Sequence, residues 1–71
     1  MRAPAMQLLL NGHTAVFDGP LTVADLLARH KLKPETVVVE HNLAVPPRCE
    51  YGRIRLGDGD RIEIVKFMGG G

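Results

Sequence analysis

The chain closes on Arg61-Ile62-Glu63-Ile64-Val65-Lys66-Phe67-Met68-Gly69-Gly70-Gly71. Its first part is rich in the β-branched and aromatic residues that suit a strand, and three glycines follow. Glycine has no Cβ and loses more freedom on ordering than any other residue, so a glycine end adds little to folding. It does make a thin peptide that can thread a narrow cleft. Extended, three residues reach roughly 10 Å. A frayed terminus or a linker remnant has the same composition, and the rest of the chain has to separate these readings. The strand also carries a shift of phase. Ile62 and Ile64 share one face, opposite Arg61 and Glu63. Beyond them Val65 and Phe67 fall on the parity of the charged residues, and Lys66 on that of the isoleucines. A regular strand turns Val65 and Phe67 away from the core, as an exposed apolar patch beside the glycines; a bulge restores the phase and buries them.

Working back from this strand, Gly57-Asp58-Gly59-Asp60 reads as a tight turn that starts it. Tyr51 and Leu56 are the expected anchors of an irregular stretch over 48–57. Thr36-Val37-Val38-Val39-Glu40 is a β-branched run, and its continuous apolarity predicts a central strand. His41-Asn42 is a turn, and Leu43-Ala44-Val45 a short strand cut by Pro46-Pro47. A helix is expected from about 22 to 31. Thr22 is its N-cap, and Asp25 stands three residues on, at the spacing of a capping box. Val23, Leu26, Leu27 and His30 share one helical face, and Lys33-Pro34 closes the segment. Earlier still, Met6–Leu10 and His13–Phe17 flank Asn11-Gly12, the strongest short-range hairpin signal, since a type I′ turn needs positive φ at both central residues. Residues 1–5 read as a disordered lead-in, and Met6 is an alternative start.

The order is therefore hairpin, helix, strand, short strand, strand. One helix across one face of a mixed sheet buries its single apolar stripe. The fold class expected is α+β, a β-grasp (ubiquitin-like) sheet of 4–5 strands with one main helix, the domain occupying 6–68 and 69–71 forming a flexible tail. In this arrangement the last strand lies centrally beside the first.

Seventy-one residues make one domain with a small core. Hydrophobic residues are 45% and charged residues 24%, the balance of a folded globular chain. Nine Lys and Arg stand against eight Asp and Glu, a net charge of +1, and the two signs are interleaved. That gives no basic stripe for nucleic acid. The one local cluster, Arg29-His30-Lys31-Leu32-Lys33, suits a helix C-terminus, where cations offset the dipole. A single cysteine, Cys49, excludes a disulfide scaffold and leaves a Cys-based metal site unsupported. With neither a secretory h-region nor a membrane-length apolar run, the expected location is the cytoplasm.

Four stretches together carry a family resemblance: Met6-Gln7-Leu8-Leu9-Leu10-Asn11-Gly12; Val39-Glu40-His41-Asn42 with Val45-Pro46-Pro47-Arg48; the turn Gly57-Asp58-Gly59-Asp60; and the end Ile62–Gly71. The chain resembles the ThiS family, sulfur carriers of thiamine biosynthesis, over residues 6–71. Pro46-Pro47 departs from the pattern and shortens one strand. The resemblance implies a carrier, not an enzyme. The Gly71 carboxylate would be adenylated by a ThiF-like enzyme that uses ATP, then converted to a thiocarboxylate by a persulfide donor linked to a cysteine desulfurase. Thiazole synthase would take up the sulfur. Gly69 and Gly70 would thread the partners' active sites. Val65, Phe67 and Met68 are the docking candidates, by phase and position. No bound cofactor, catalytic residue or metal is expected in the carrier itself, nor nucleic-acid or membrane partners.

Other residues point elsewhere less well. Cys49 is more simply an ordinary cysteine. His13, His30 and His41 are dispersed, without metal-ligand spacing. Asp58 and Asp60 lack the calcium-loop pattern and read as turn formers. The rival functions are a sulfur carrier for molybdopterin or transfer-RNA thiolation, and an RNA-binding or regulatory β-grasp module of the TGS type. The opening Asn-Gly hairpin and the lack of a Pro-Pro-Val-Ala run argue against molybdopterin, and the glycine end against the module.

Overall fold

A computed structural model describes residues 5–67. It holds a four-stranded mixed sheet in the order β2-β1-β4-β3, with one helix, α1, between β2 and β3. The strands are β1 (Ala5–Leu10), β2 (His13–Asp18), β3 (Val37–His41) and β4 (Arg61–Lys66), and α1 is Val23–Arg29. β1 pairs β2 antiparallel and β4 parallel, and β3 pairs β4 antiparallel. This is the ubiquitin-like β-grasp, with the last strand lying between β1 and β3. Ala5 belongs to β1 instead of to the lead-in; the other lead-in residues, 1–4, and the tail 69–71 lie outside the described residues.

Each element follows from its local chemistry. Asn11 and Gly12 take φ of 48° and 82°, the left-handed pair of a type I′ turn. Thr22 accepts from the Asp25 N–H at 3.0 Å, and the Asp25 carboxylate accepts from the Thr22 N–H at 3.0 Å, a complete capping box. The helix ends earlier than the expected residue 31. Lys31 adopts φ 56°. Its N–H donates to Ala28, and that of Leu32 donates to Leu27, which is a Schellman closure on a lysine. His30 is thereby the C-cap and is exposed.

Val23, Leu26 and Leu27 of α1 pack with Met6, Leu8, Val37, Val39 and Ile62 of the sheet, and Leu21, Tyr51 and Leu56 complete the core. Among the described residues nothing covers the sheet's other face, where Leu9, Val16, Val38 and Val65 are exposed. This corrects two expectations. Val37–His41 is an edge strand, not a central one. It alternates, with Val37 and Val39 buried under the helix and Val38 on the open face; a run of three valines hides that alternation. Leu43-Ala44-Val45 is no strand either. Asn42 and Leu43, at φ 50° and 72°, form a two-residue turn closed by mutual backbone bonds between His41 and Ala44. Pairing stops at that bridge, and Pro46 and Pro47 have no N–H with which to extend it.

Leu43 is a branched side chain held left-handed and 73% exposed, so it carries strain without packing in return. The strain is about 1–2 kcal/mol, against about 0.5–1 kcal/mol for the extra unfolded-state freedom of glycine. Leu43→Gly is therefore expected to stabilise the domain by under about 1 kcal/mol. A higher urea midpoint with an unchanged slope would show it; a lower midpoint would contradict this account of the turn.

Candidate functional site

Strand β4 is the element that leads to the glycines, and its base is held by the turn before it. The Gly57–Asp60 turn closes through the Asp60 N–H donating to Gly57 at 3.0 Å, with Gly59 at φ 89°. The Asp60 carboxylate gathers three partners. It accepts from the Gly57 N–H at 2.8 Å and the Asn42 amide at 3.2 Å, and it meets His41 Nε2 at 2.8 Å. Asn42 in turn accepts from the Arg61 N–H at 2.8 Å, and its own N–H donates to the Arg61 carbonyl at 2.8 Å. Burial pushes the Asp60 pKa up, but the bonds from His41, Gly57 and Asn42, with the His41 charge, outweigh it and hold the carboxyl below its ordinary value. His41 and Asn42, read from sequence only as a turn, thus tie the end of β3 to the start of β4.

The other neighbour, β1, contributes a short parallel ladder with the register Leu9↔Arg61 and Leu10↔Ile62. Two side chains prolong it. Below, Asp58 Oδ1 accepts from the Gln7 N–H at 2.7 Å; above, Asn11 Oδ1 accepts from the Ile64 N–H at 2.7 Å. Beyond Asn11, β4 runs past the end of β1 and is paired on one side, through Val37↔Lys66, with a last bond from the Phe67 N–H to Thr36 at 3.0 Å.

The register is regular over all of β4, with no bulge. Val65 is 61% exposed and Phe67 51% exposed. On the open face Val38 stands opposite Val65 and is 36% exposed; the sequence reading missed it because the valine run was taken as wholly buried. Lower on the same face Glu40 stands opposite Glu63, whose carboxylate takes a bond from Arg61 at 2.9 Å. Val38, Val65 and Phe67 thus form an apolar ridge at the end of β4 where the chain continues to the glycines. Met68, Gly69, Gly70 and Gly71 lie outside the described residues. Cys49 is exposed and distant in sequence from this ridge. Among the described residues no group of His, Cys, Asp and Glu could hold a metal ion, and no helix is long and apolar enough to cross a membrane.

Comparison with known proteins places this geometry. The model of the ThiS family matches residues 8–71. The chain is 44% identical over 50 residues to the sulfur carrier protein ThiS of Bacillus subtilis, covering 70% of this chain and 76% of that protein. It is 39% identical over 66 residues to a thiazole synthase of Paramagnetospirillum magneticum, covering 93% of this chain. It spans only 20% of the length of that thiazole synthase. The crystal structure of a thiamine biosynthesis protein (ThiS) from Geobacter metallireducens superposes with a TM-score of 0.78 at 39% identity, over 93% of this chain and 100% of that one.

The Asp60 hub has a pH signature. Its folded pKa is lowered, so its contribution to stability is complete above the unfolded value near about 3.9 and is lost as pH falls through the folded value. Asp25, lowered by its bonds with Thr22 and by the charge of Arg29, acts in the same sense. Urea midpoints are expected to fall as pH drops below about 5, and to fall less steeply in Asp60→Asn. Equal slopes in the two proteins would remove Asp60 from the acid response.

Proposed function

The chain belongs to the ThiS family, the sulfur carriers of thiamine biosynthesis, and we propose that it carries its sulfur as a thiocarboxylate on Gly71. The observation that supports this most directly is the form of β4. An interior strand, tied at its base to both neighbours, rises past β1 and delivers the chain to Gly69-Gly70-Gly71 with a ridge of Val38, Val65 and Phe67 beside the exit.

The chemistry follows from the carboxylate. A terminal carboxyl has a pKa of about 3.5 and is ionised at neutral pH, so it resists nucleophiles. Adenylation by a ThiF-like enzyme converts it to a mixed anhydride, with pyrophosphate leaving from ATP. The outer sulfur of a persulfide, supplied through a cysteine desulfurase, then displaces AMP. Cleavage of the S–S bond by a thiol leaves the thiocarboxylate. Thiazole synthase is the proposed acceptor, a reading supported by the relatives of that name in which a segment like this chain is part of a longer protein. The carrier contributes position: a rigid domain brings a narrow arm into successive active sites. Gly69 and Gly70 have no side chain to obstruct a channel, and Val65, Phe67 and Met68, now with Val38, form the docking surface beside it.

Intact mass spectrometry tests the carrier chemistry. The protein is first shown to end at Gly71, then incubated with ATP, the adenylating enzyme and a persulfide donor. The expected result is a mass gain equal to replacing one oxygen by sulfur, mapped to Gly71 and absent when Gly71 is deleted. An unmodified protein with an active enzyme set would overturn the proposal. For docking, Val65→Asp and Phe67→Asp are expected each to weaken binding of the adenylating enzyme by at least about tenfold, about 1.4 kcal/mol. Thermal melts close to wild type would show that the fold survives. Unchanged affinity in both variants would remove the ridge from the interface.

A further inference from the structure

The lysine in the phase shift has a structural consequence of its own. Lys66 lies on the helix side of the sheet, at the parity of Ile62 and Ile64, and is exposed. There the sheet and the helix C-terminus enclose a cleft of about 320 Å³, lined by Leu10, Asn11, His30, Leu32, Ile64 and Lys66. Leu10, Leu32 and Ile64 are partly buried against the core and make an apolar floor. The side-chain oxygen of Asn11 already accepts from the Ile64 N–H. His30 and Lys66 are exposed at the rim, and among the described residues Lys66 is in no ion pair.

The charge around the cleft is one-sided. Lys31 and Lys33 bracket Leu32 in the chain, and Arg29 precedes His30, its guanidinium 5.9 Å from the Phe17 ring centroid. Glu35, in the short 3-10 turn Pro34–Thr36, is the acid of this end. The rest of the chain is net acidic. Part of this charge complements the negative end of α1, but Lys66 is on a strand and has no helix end to serve. An apolar floor inside a cationic rim is complementary to an apolar side chain flanked by carboxylates.

We propose that this cleft binds an acidic segment of a protein that handles the glycine tail. One aliphatic or aromatic side chain sits on Leu10, Leu32 and Ile64, with carboxylates against Lys66 and His30. The inference rests on the carrier reading only in assigning the partner to the tail. Because residues alternate along β4, the partner then holds both faces of one strand: the Val38, Val65 and Phe67 ridge on one side and the cleft on the other. A side-chain floor of this kind favours a protein segment over a nucleic acid, whose phosphates would gain nothing from it.

The test is a nitrogen-15 NMR titration of the full chain with a capped hexapeptide, Asp-Glu-Leu-Phe-Asp-Glu, at low salt. Amide shifts are expected at Leu10, Leu32, Ile64 and Lys66. Lys66→Glu is expected to weaken binding about three- to tenfold, as reversal of an exposed charge does, and about 0.5 M salt should weaken it similarly. The Asn and Gln analogue of the peptide should bind more weakly in the same measure. Absence of shifts at these residues, or equal binding by Lys66→Glu and the wild type, overturns the inference. So would equal shifts produced by inorganic phosphate or an oligouridylate. The titration needs no thiamine enzyme, so its failure is separate from failure of sulfur loading on Gly71.

Discussion

The parallel pairing of the first and last strands is the constraint on which the rest depends. It joins the two ends of the described chain, yet its ladder is short, Leu9↔Arg61 and Leu10↔Ile62. Asp58 and Asn11 lengthen it by offering side-chain oxygens to the N–H groups of Gln7 and Ile64, where a backbone carbonyl would otherwise be needed. Each stands in a turn with its own reason to exist, one before β4 and one inside the opening hairpin. Parallel pairs are slightly less stable per residue than antiparallel ones, and here turn chemistry reinforces the pair at both ends.

From this follows the division of β4. Its lower half is enclosed by β1 and β3 and covered by α1, so Ile62 is fully buried. Its upper half leaves β1 behind, and Val65 and Lys66, on opposite faces, are both exposed. The same strand is thus scaffold at one end and exposed at the other, and the shift from Ile-Glu-Ile to Val-Lys-Phe is the sequence image of that change. Lys66 keeps the inward parity, opposite Val37, at a position that is exposed.

Most of the architecture was legible because local signals agreed. Asn11-Gly12, the Thr22 and Asp25 box, and the Gly57–Asp60 turn each act through residues close in sequence, and each forms as read. What misled was information held elsewhere in the fold. Three consecutive valines look central, but burial on one face is all β3 has, and Val38 escaped notice as part of the ridge. The helix stop lies in the left-handed Lys31, which no residue type announces; proline at 34 was the louder and later signal. Leu43 is likewise an unadvertised left-handed residue, forced by the bonds between His41 and Ala44. The roles of Asp58, Asp60 and Asn42 as ties between strands depend on partners 18–51 residues away, beyond the reach of any local pattern.

The antiparallel and parallel neighbours of β4 also decide how it answers force. A pull along the strand axis at Phe67, the last described residue, loads the ladders to β1 and β3 in shear. Their bonds, which lie across the strand, must then yield together instead of opening one after another from the end. A load applied at that end is therefore carried by the whole sheet, and the strand does not peel away from its neighbours bond by bond.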